Sequence, residues 1–122
     1  MLAGVAHDSR PARRVGKRND PGILILTSLA SGAKHGYALA RDIERFAGVT
    51  LGPGTLYGAI TALEAHGLIE PAGHDERRRP YKLTASGRAE LTTAVRSLGA
   101  IAAEGARRLG IALHVPNPGW AQ

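Results

Sequence analysis

A run of basic side chains gives this sequence its clearest chemistry, which is the binding of phosphate. The run consists of Arg77, Arg78 and Arg79, and Lys82 follows three residues later. A guanidinium group is planar and can donate two parallel hydrogen bonds to phosphate oxygens. The alternative is a solvated turn that Asp75 and Glu76 partly neutralise. We favour phosphate binding, because the basic residues outnumber the acidic ones and stand on a projecting element.

A second set of candidate contacts lies in the helix predicted over residues 55–66, which opens with the motif Gly54-Thr55-Leu56-Tyr57. Thr55 and the free N–H groups of this helix end offer donors beside the positive end of the helix dipole. Tyr57, in the first turn, can bond a phosphate through its phenol while its ring packs on the domain. Thr61 lies one turn further on and can contact a base edge or a phosphate.

The basic run belongs to a hairpin that follows this helix directly. We predict a strand from residue 68 to 71, a polar turn over 72–77 and a return strand over 78–84. Tyr81 and Leu83 share one face of the return strand and Lys82 lies on the other, which is the period-two alternation of a strand. A short helix followed by a basic hairpin arm is the plan of a winged helix-turn-helix, so we predict a mainly α (α+β) fold that binds DNA and call this hairpin the wing.

The helix over 55–66 has two contrasting faces. Leu56, Ile60 and Leu63 form its inward stripe, while the outer face carries small residues that let a backbone approach DNA closely. Ordinary helix packing is the alternative. The outer face has no Arg, Lys, Asn or Gln, which are the residues that make bidentate base contacts. We therefore expect specificity to rest on threonine contacts, wing insertion and DNA shape, with strong salt dependence and moderate selectivity. Glu64 is expected to pair locally and not to touch DNA, because phosphate repels a carboxylate; Arg88 and Arg79 are candidate partners.

The preceding helix is predicted over residues 36–47, and its start is expected to cross the DNA backbone. The candidate contacts there are Lys34, His35 and Tyr37. His35 has an equally weighted alternative, which is a structural histidine that bonds the turn. We predict a core stripe of Leu39, Ile43 and Phe46, with an outward face of Arg41, Asp42, Glu44 and Arg45.

A first helix, predicted over residues 21–30, must be buried on several sides. Asp20 can cap it and Pro21 suits its first position. Its apolar residues between 23 and 29 surround most of its circumference. Residues 1–20 hold five cations and little apolar periodicity, so we predict a disordered basic arm or a mispredicted start of the gene. Such an arm would lie along DNA or remain a solvated tail.

A long last helix is predicted over residues 85–109, with Thr84 as its cap. Apolar and small residues recur in it at alternating steps of four and three: Leu91, Val95, Leu98, Ala102, Gly105 and Leu109. This pattern is typical of a coiled-coil seam and predicts a dimer interface to which Ile23 and Leu26 also contribute. The predicted organisation is therefore an arm (1–20), a winged-helix domain (21–84), a dimerisation helix (85–110) and a flexible tail (111–122).

Composition narrows the function classes further. The 122 residues include 16 Lys and Arg against 10 Asp and Glu, a net charge of +6, which suits a polyanionic partner. The chain contains no cysteine, so disulfides and zinc–cysteine clusters are excluded. Apolar runs too short to cross a bilayer and the lack of a signal-peptide pattern predict a cytoplasmic protein. His35, His66 and His74 have no nucleophile or paired carboxylates at recognisable spacing, and His74-Asp75-Glu76 is typical of a hairpin turn more than of a metal site. We therefore expect no catalysis, no metal and no cofactor.

At this level of detail the chain resembles the PadR family of bacterial transcriptional regulators, in its short form with one C-terminal helix. The resemblance covers residues 23–109 and rests on four segments: His35-Gly36-Tyr37, Gly54-Thr55-Leu56-Tyr57, residues 63–69 and residues 79–87. It implies a homodimer that binds an imperfect palindrome in double-stranded DNA near a promoter, usually as a repressor. It also implies a small-molecule effector between the first and last helices, although those walls contain no aromatic residue here.

A winged-helix module that binds another protein or RNA, without recognising an operator, is the alternative function. In that case the basic face would contact some other acidic surface. The basic wing and the dimer seam favour the DNA-binding regulator.

Overall fold

Four helices and one two-stranded sheet make up the computed structural model, which describes residues 20–73 and 79–113. The elements are α1 (Pro21–Leu29), α2 (Gly36–Ala47), α3 (Pro53–Ala65), β1 (Ile69–Pro71), β2 (Tyr81–Leu83) and α4 (Ala85–Leu109). This order confirms the predicted winged helix-turn-helix with a long last helix. The arm, except for Asp20, and the tail beyond residue 113 lie outside the described residues.

Helix α1 lies at the centre of the domain. Asp20 caps it as predicted, because its carboxylate accepts a hydrogen bond from the N–H of Gly22 (3.0 Å), and Pro21 occupies the first turn. Its large apolar side chains are all buried apart from Ile23, which is half-buried and packs against the core. Helices α2, α3 and α4 and strand β2 all pack on it.

Helix α2 has the predicted bounds, and Gly48 ends it in the left-handed conformation (φ 69°). Leu39 and Ile43 are fully buried, but Phe46 is 45% exposed, so its predicted place in the core is wrong. Apolar cover after this helix comes from the chain that leaves it, where Val49 and Leu51 pack against the core.

Helix α3 begins two residues earlier than predicted, at Pro53. Proline suits this position because its φ angle is already helical and its missing N–H would have no partner there. The predicted inward stripe of Leu56, Ile60 and Leu63 is buried. After the helix, Gly67 adopts a positive φ of 75° and turns the chain directly into β1.

The wing is an antiparallel hairpin whose return strand also contacts the segment before α2. Strands β1 and β2 pair in the register Ile69 with Leu83, Glu70 with Lys82 and Pro71 with Tyr81. On its other side, Tyr81 forms an isolated bridge with Lys34 through two backbone hydrogen bonds of 3.0 and 2.8 Å. The wing is therefore hydrogen-bonded to the segment between α1 and α2, and this contact fixes the position of its return strand.

Helix α4 is anchored at its first turn. The hydroxyl of Thr84 accepts a hydrogen bond from Gly87 N–H (3.0 Å) and donates one to the carbonyl of Gly67 (2.6 Å). A Cβ at Gly87 would lie only 1.9 Å from the carbonyl oxygen of Leu68, so the helix approaches the chain closely here. The 25 residues of α4 extend about 37 Å, well beyond the core.

Two glycines of α4 test this anchoring. Gly87→Ala should lower the free energy of unfolding by about 1–3 kcal/mol, because the added methyl group overlaps a backbone carbonyl. Gly99→Ala should raise it by up to about 1 kcal/mol, because alanine favours a helix and a Cβ there meets no atom within 4 Å. Urea unfolding followed by circular dichroism, at one protein concentration, measures both. Equal effects would mean that α4 is not seated on Leu68.

Candidate nucleic-acid interface

The ring of Tyr57 packs on the first residue of α2. A Cβ at Gly36 would lie 2.3 Å from the hydroxyl oxygen of Tyr57 and 2.7 Å from its Cζ, so only glycine leaves room for this ring. We predicted Tyr57 in the first turn of this helix. Because α3 begins at Pro53, Tyr57 lies in the second turn instead. The side chain remains 51% exposed. Its ring therefore packs on the domain as expected, while part of it still faces solvent.

The start of α3 keeps hydrogen-bond donors available. Gly52 precedes the helix and no side chain caps it; the first helical hydrogen bond runs from Leu56 N–H to the Gly52 carbonyl (2.9 Å). The N–H groups of Gly54 and Thr55 therefore have no partner within the helix. The hydroxyl of Thr61 donates a hydrogen bond to the carbonyl of Tyr57 (2.9 Å), and the residue is exposed.

The outer face of α3 is exposed and carries small side chains. Its exposed small residues are Gly54, Thr55, Gly58, Thr61, Ala62 and Ala65. Glu64 is also exposed, and no ion pair joins it to Arg79 or Arg88 within the described residues. A pair of exposed side chains contributes too little free energy to fix both in one geometry.

His35 caps helix α2. Its Nδ1 accepts a hydrogen bond from the N–H of Ala38 (3.4 Å), which supports the structural alternative for this histidine. Its ring stacks on that of Tyr37, with centroids 6.5 Å apart. The exposed hydroxyl of Tyr37 accepts a hydrogen bond from Arg41 (3.0 Å), and this bond raises the pKa of the arginine. A DNA contact by His35 or Tyr37 stays a prediction.

Lys34, predicted as a DNA contact, has its ammonium group directed at the end of α1. The Nζ atom donates to the carbonyl of Ser28 (2.5 Å), the hydroxyl of Ser31 (2.9 Å) and the carbonyl of Gly32 (3.4 Å). Burial lowers the pKa of Lys34; Asp42 offsets this in part, and Arg45 adds to it. The structure thus gives Lys34 an internal role that the sequence analysis missed.

Asp42 was predicted to face outward, and this is wrong. Its carboxylate is half-buried, accepts a hydrogen bond from the hydroxyl of Ser28 (2.6 Å) and pairs with Arg45. Burial alone would raise the pKa of Asp42, but the hydrogen bonds from Ser28 and Arg45 and the charge of Lys34 together lower it. The reason lies in Ser28, which is 1% exposed and needs a partner for its hydroxyl. A serine within an apolar helix was the signal for this contact.

The described part of the wing presents two cations. Arg79 is exposed, and Lys82 lies 3.7 Å from the carboxylate of Glu70 on the facing strand. Both members of this pair are about half exposed, so the pair contributes little free energy and leaves the lysine accessible. Arg77 and Arg78 lie outside the described residues.

Some residues of the predicted dimer interface are buried in the chain's own core, and the others are exposed to solvent. Leu26 and Leu91 are buried in the chain's own core, and Ile23 is half-buried. Further along α4, Val95, Leu98 and Leu109 are 53–73% exposed. Ala102 and Gly105 are also exposed. Ile101, 69% exposed, belongs to the same stripe and was missed, although its spacing of three residues from Leu98 could have revealed it.

Two kinds of site are absent from the described residues. In residues 20–73 and 79–113, no three His, Cys, Asp or Glu side chains are grouped so that they could hold a metal ion. Over the same ranges, no helix combines the length and the apolar character that crossing a membrane requires.

Known proteins share this arrangement of sequence and fold. The profile described as "Transcriptional regulator PadR-like family" matches residues 25–93, more than half of the chain. Transcriptional regulator Rv3488 of Mycobacterium tuberculosis is 41% identical over 83 residues, which cover 66% of this chain and 77% of that protein. A PadR family transcription regulator from Clostridium difficile R20291 superposes with a TM-score of 0.65 at 25% identity, over 77% of this chain and 99% of that one.

A third relative is much longer. An uncharacterised 37.1 kDa protein in transposon TN4556 of Streptomyces fradiae is 47% identical over 72 residues, or 59% of this chain. The chain spans about a fifth (21%) of that relative's length.

The contact between Tyr57 and α2 yields a prediction. Gly36→Ala should turn the ring of Tyr57 away from α2, with a loss of stability below about 1.5 kcal/mol because the phenol is the free end of a rotatable side chain. Nuclear Overhauser effects between the ring and residue 36 measure the displacement. Gly58→Ala is the matched control, since its methyl group faces open space. Unchanged ring contacts in Gly36→Ala would contradict the packing described here.

Proposed function

The chain belongs to the PadR-like family of transcriptional regulators, and we propose that it acts as a homodimer that binds an imperfect palindrome in double-stranded DNA. We propose that the bound dimer represses transcription. The observation that carries the proposal is the junction of three elements at residues 34–36. There Lys34, just before α2, is bonded to strand β2 of the wing, and Gly36, the first residue of α2, lies under Tyr57 of α3.

Phosphate contacts supply the affinity in this proposal. The donors at the start of α3 are the N–H groups of Gly54 and Thr55, the Thr55 hydroxyl and the phenol of Tyr57. On the wing, Arg77, Arg78, Arg79 and Lys82 bind phosphates, and at the start of α2 the hydroxyl of Tyr37 and the Nε2 atom of His35 add to them. A net charge of +6 supports this assignment, because cations on the protein release counterions from DNA.

Sequence discrimination follows from the small outer face of α3. Thr61 and the neighbouring small residues allow close approach, but none of them can make the bidentate contacts that distinguish bases most strongly. We infer that specificity comes from threonine contacts, the wing and the deformability of the operator. Binding should therefore depend steeply on salt, and discrimination between operator and random duplex should be moderate.

The exposed stripe on α4 supports the dimer. Val95, Leu98, Ile101 and Leu109 lie on one side of the helix at spacings that suit packing against a second α4. Leaving these four side chains in water costs free energy that a second copy would recover. In such a dimer, two α3 helices should lie about 34 Å apart, one turn of DNA.

A small molecule bound along this seam would control DNA binding by changing the distance between the two α3 helices. The described walls, residues 23–29 and 91–109, contain no aromatic side chain. We therefore propose an effector held by aliphatic contacts and not by ring stacking.

A binding selection tests the proposed function directly. The purified protein is mixed with a pool of random duplexes at physiological salt, and the retained DNA is sequenced. Enrichment of a two-fold symmetric site is the expected result. Retention without enrichment would favour architectural binding. No retention would favour an adaptor that binds protein or RNA.

Charge reversal on the wing tests the phosphate contacts. Arg79→Glu should weaken binding to duplex DNA by more than about tenfold and reduce the slope of log affinity against log salt by about 1. Fluorescence anisotropy over a salt series measures both. Arg96→Glu changes the net charge equally on the exposed surface of α4 and should have a much smaller effect. An unchanged affinity of Arg79→Glu would contradict the wing contact.

Substitutions on α4 test the dimer. Leu98→Glu should give a folded monomer with much weaker DNA binding, because it places a charge in the middle of the apolar stripe. Ala100→Glu, on another face of the same helix, should stay dimeric. Sedimentation velocity gives the mass of each variant, and a monomeric wild type would contradict the proposed assembly.

A further inference from the structure

We propose that Lys34 is a positioning residue for DNA binding, which joins the wing, the end of α1 and the start of α2 and does not itself contact phosphate. This inference rests on the proposed function, since it concerns affinity for duplex DNA. It reverses the role that the sequence suggests for an exposed lysine before a helix.

The backbone of Lys34 holds the wing. Its N–H donates to the carbonyl of Tyr81 (3.0 Å), and its carbonyl accepts from the N–H of Tyr81 (2.8 Å). Tyr81 is the first residue of β2 and lies between Arg79 and Lys82, the two described cations of the wing. A shift of Lys34 would therefore move the basic part of the wing.

The side chain of Lys34 holds the end of α1. An ammonium group has three N–H donors, and here each has an acceptor in residues 28–32. A phosphate contact would require one of these bonds to break. Two residues further on, Gly36 lies under the ring of Tyr57, so the same short segment also positions a proposed contact of α3.

The carboxylate of Asp42 completes the cluster from within α2. It accepts from the buried hydroxyl of Ser28, whose carbonyl accepts from Lys34, and it pairs with Arg45. Asp42 thus supplies the negative charge beside a partly buried ammonium group. Its removal should loosen the segment even though it makes the protein more positive.

The first experiment compares two substitutions of Lys34. Lys34→Met removes the charge, and Lys34→Arg keeps it on a broader, planar group that does not fit the three acceptors around the ammonium group. We expect both variants to bind a mixed-sequence duplex at least tenfold more weakly than wild type. A phosphate ligand would behave differently, because arginine would restore the affinity.

Amide hydrogen exchange in the DNA-free protein measures the positioning itself. The Tyr81 amide, bonded to Lys34, should exchange at least tenfold faster in both variants. The Thr84 amide is the control in the same chain segment, since it is bonded to the carbonyl of Leu68 (3.1 Å) and should change little. An unchanged Tyr81 amide, or wild-type affinity in Lys34→Arg, would overturn the proposal.

A substitution of Asp42 provides a second test, which does not require the Lys34 variants to fold. In this test the direction of the change in DNA affinity decides between the two explanations. Asp42→Asn should weaken DNA binding at least threefold if the cluster positions the wing. Simple charge repulsion predicts the opposite, because removing a carboxylate favours DNA. Glu44→Gln is the matched control: it removes the same charge two residues away, where the carboxylate accepts only from Thr50 (3.2 Å) among the described residues, and it should bind as well as wild type or better. Tighter binding by Asp42→Asn would overturn the proposal.

Different results would contradict the proposed function and the role of Lys34. If the wild-type protein binds no duplex DNA, the proposed function is wrong. The exchange rates of Tyr81 and Thr84 in the DNA-free protein still decide whether Lys34 holds the wing strand.

Discussion

The burial of helix α1 is the constraint on which the rest of the structure depends. This helix is apolar on almost every side, and Leu24, Ile25, Leu26 and Leu29 are removed from water. No single neighbour can cover a helix all round, so α2, α3, α4 and β2 each cover part of it. The relative positions of the proposed DNA contacts thus follow from how four elements pack round one hydrophobic helix, and not from interactions at the interface itself.

One polar residue in α1 then determines how α2 is placed. Burying a hydroxyl without a partner costs about 1–3 kcal/mol, so the Ser28 hydroxyl must find an acceptor, and it finds Asp42. A partly buried carboxylate needs positive charge in turn, which Arg45 and Lys34 supply. Packing brings α1 and α2 together, whereas this chain of polar contacts selects one register between them. The same chain ends at Lys34, whose backbone is bonded to the wing.

The elements were predictable from the sequence because their signals are local. Asp20, Pro21 and Thr84 mark helix starts through their own backbone and side-chain chemistry. Periodicity identified the buried stripe of α3, and the apolar residues around most of α1 identified it as a buried helix. Asp42 and Phe46 were misplaced because their environment depends on residues that are distant in sequence or on the path of a loop, and the hydrogen bonds of Lys34 were missed for the same reason. A charged residue on a helix is usually solvated, and only its neighbour in another helix shows that Asp42 is not. The contact residues with DNA remain predictions, since no local rule distinguishes an exposed arginine that binds phosphate from one that does not.

Helix α4 links folding of the chain to its proposed assembly. One apolar stripe serves two purposes: Leu91 seals the core of the chain itself, and the part from Val95 onward has no cover in the described residues. Gly99 and Gly105 each disfavour the helix by up to about 1 kcal/mol relative to alanine, and an isolated helix of about 15 residues, the length from Val95 to Leu109, is marginal in water. We therefore expect the outer half of α4 to gain stability from a partner surface. If that surface is a second copy, order in the helix, dimerisation and the spacing of the two α3 helices are coupled, and protein concentration itself regulates DNA binding.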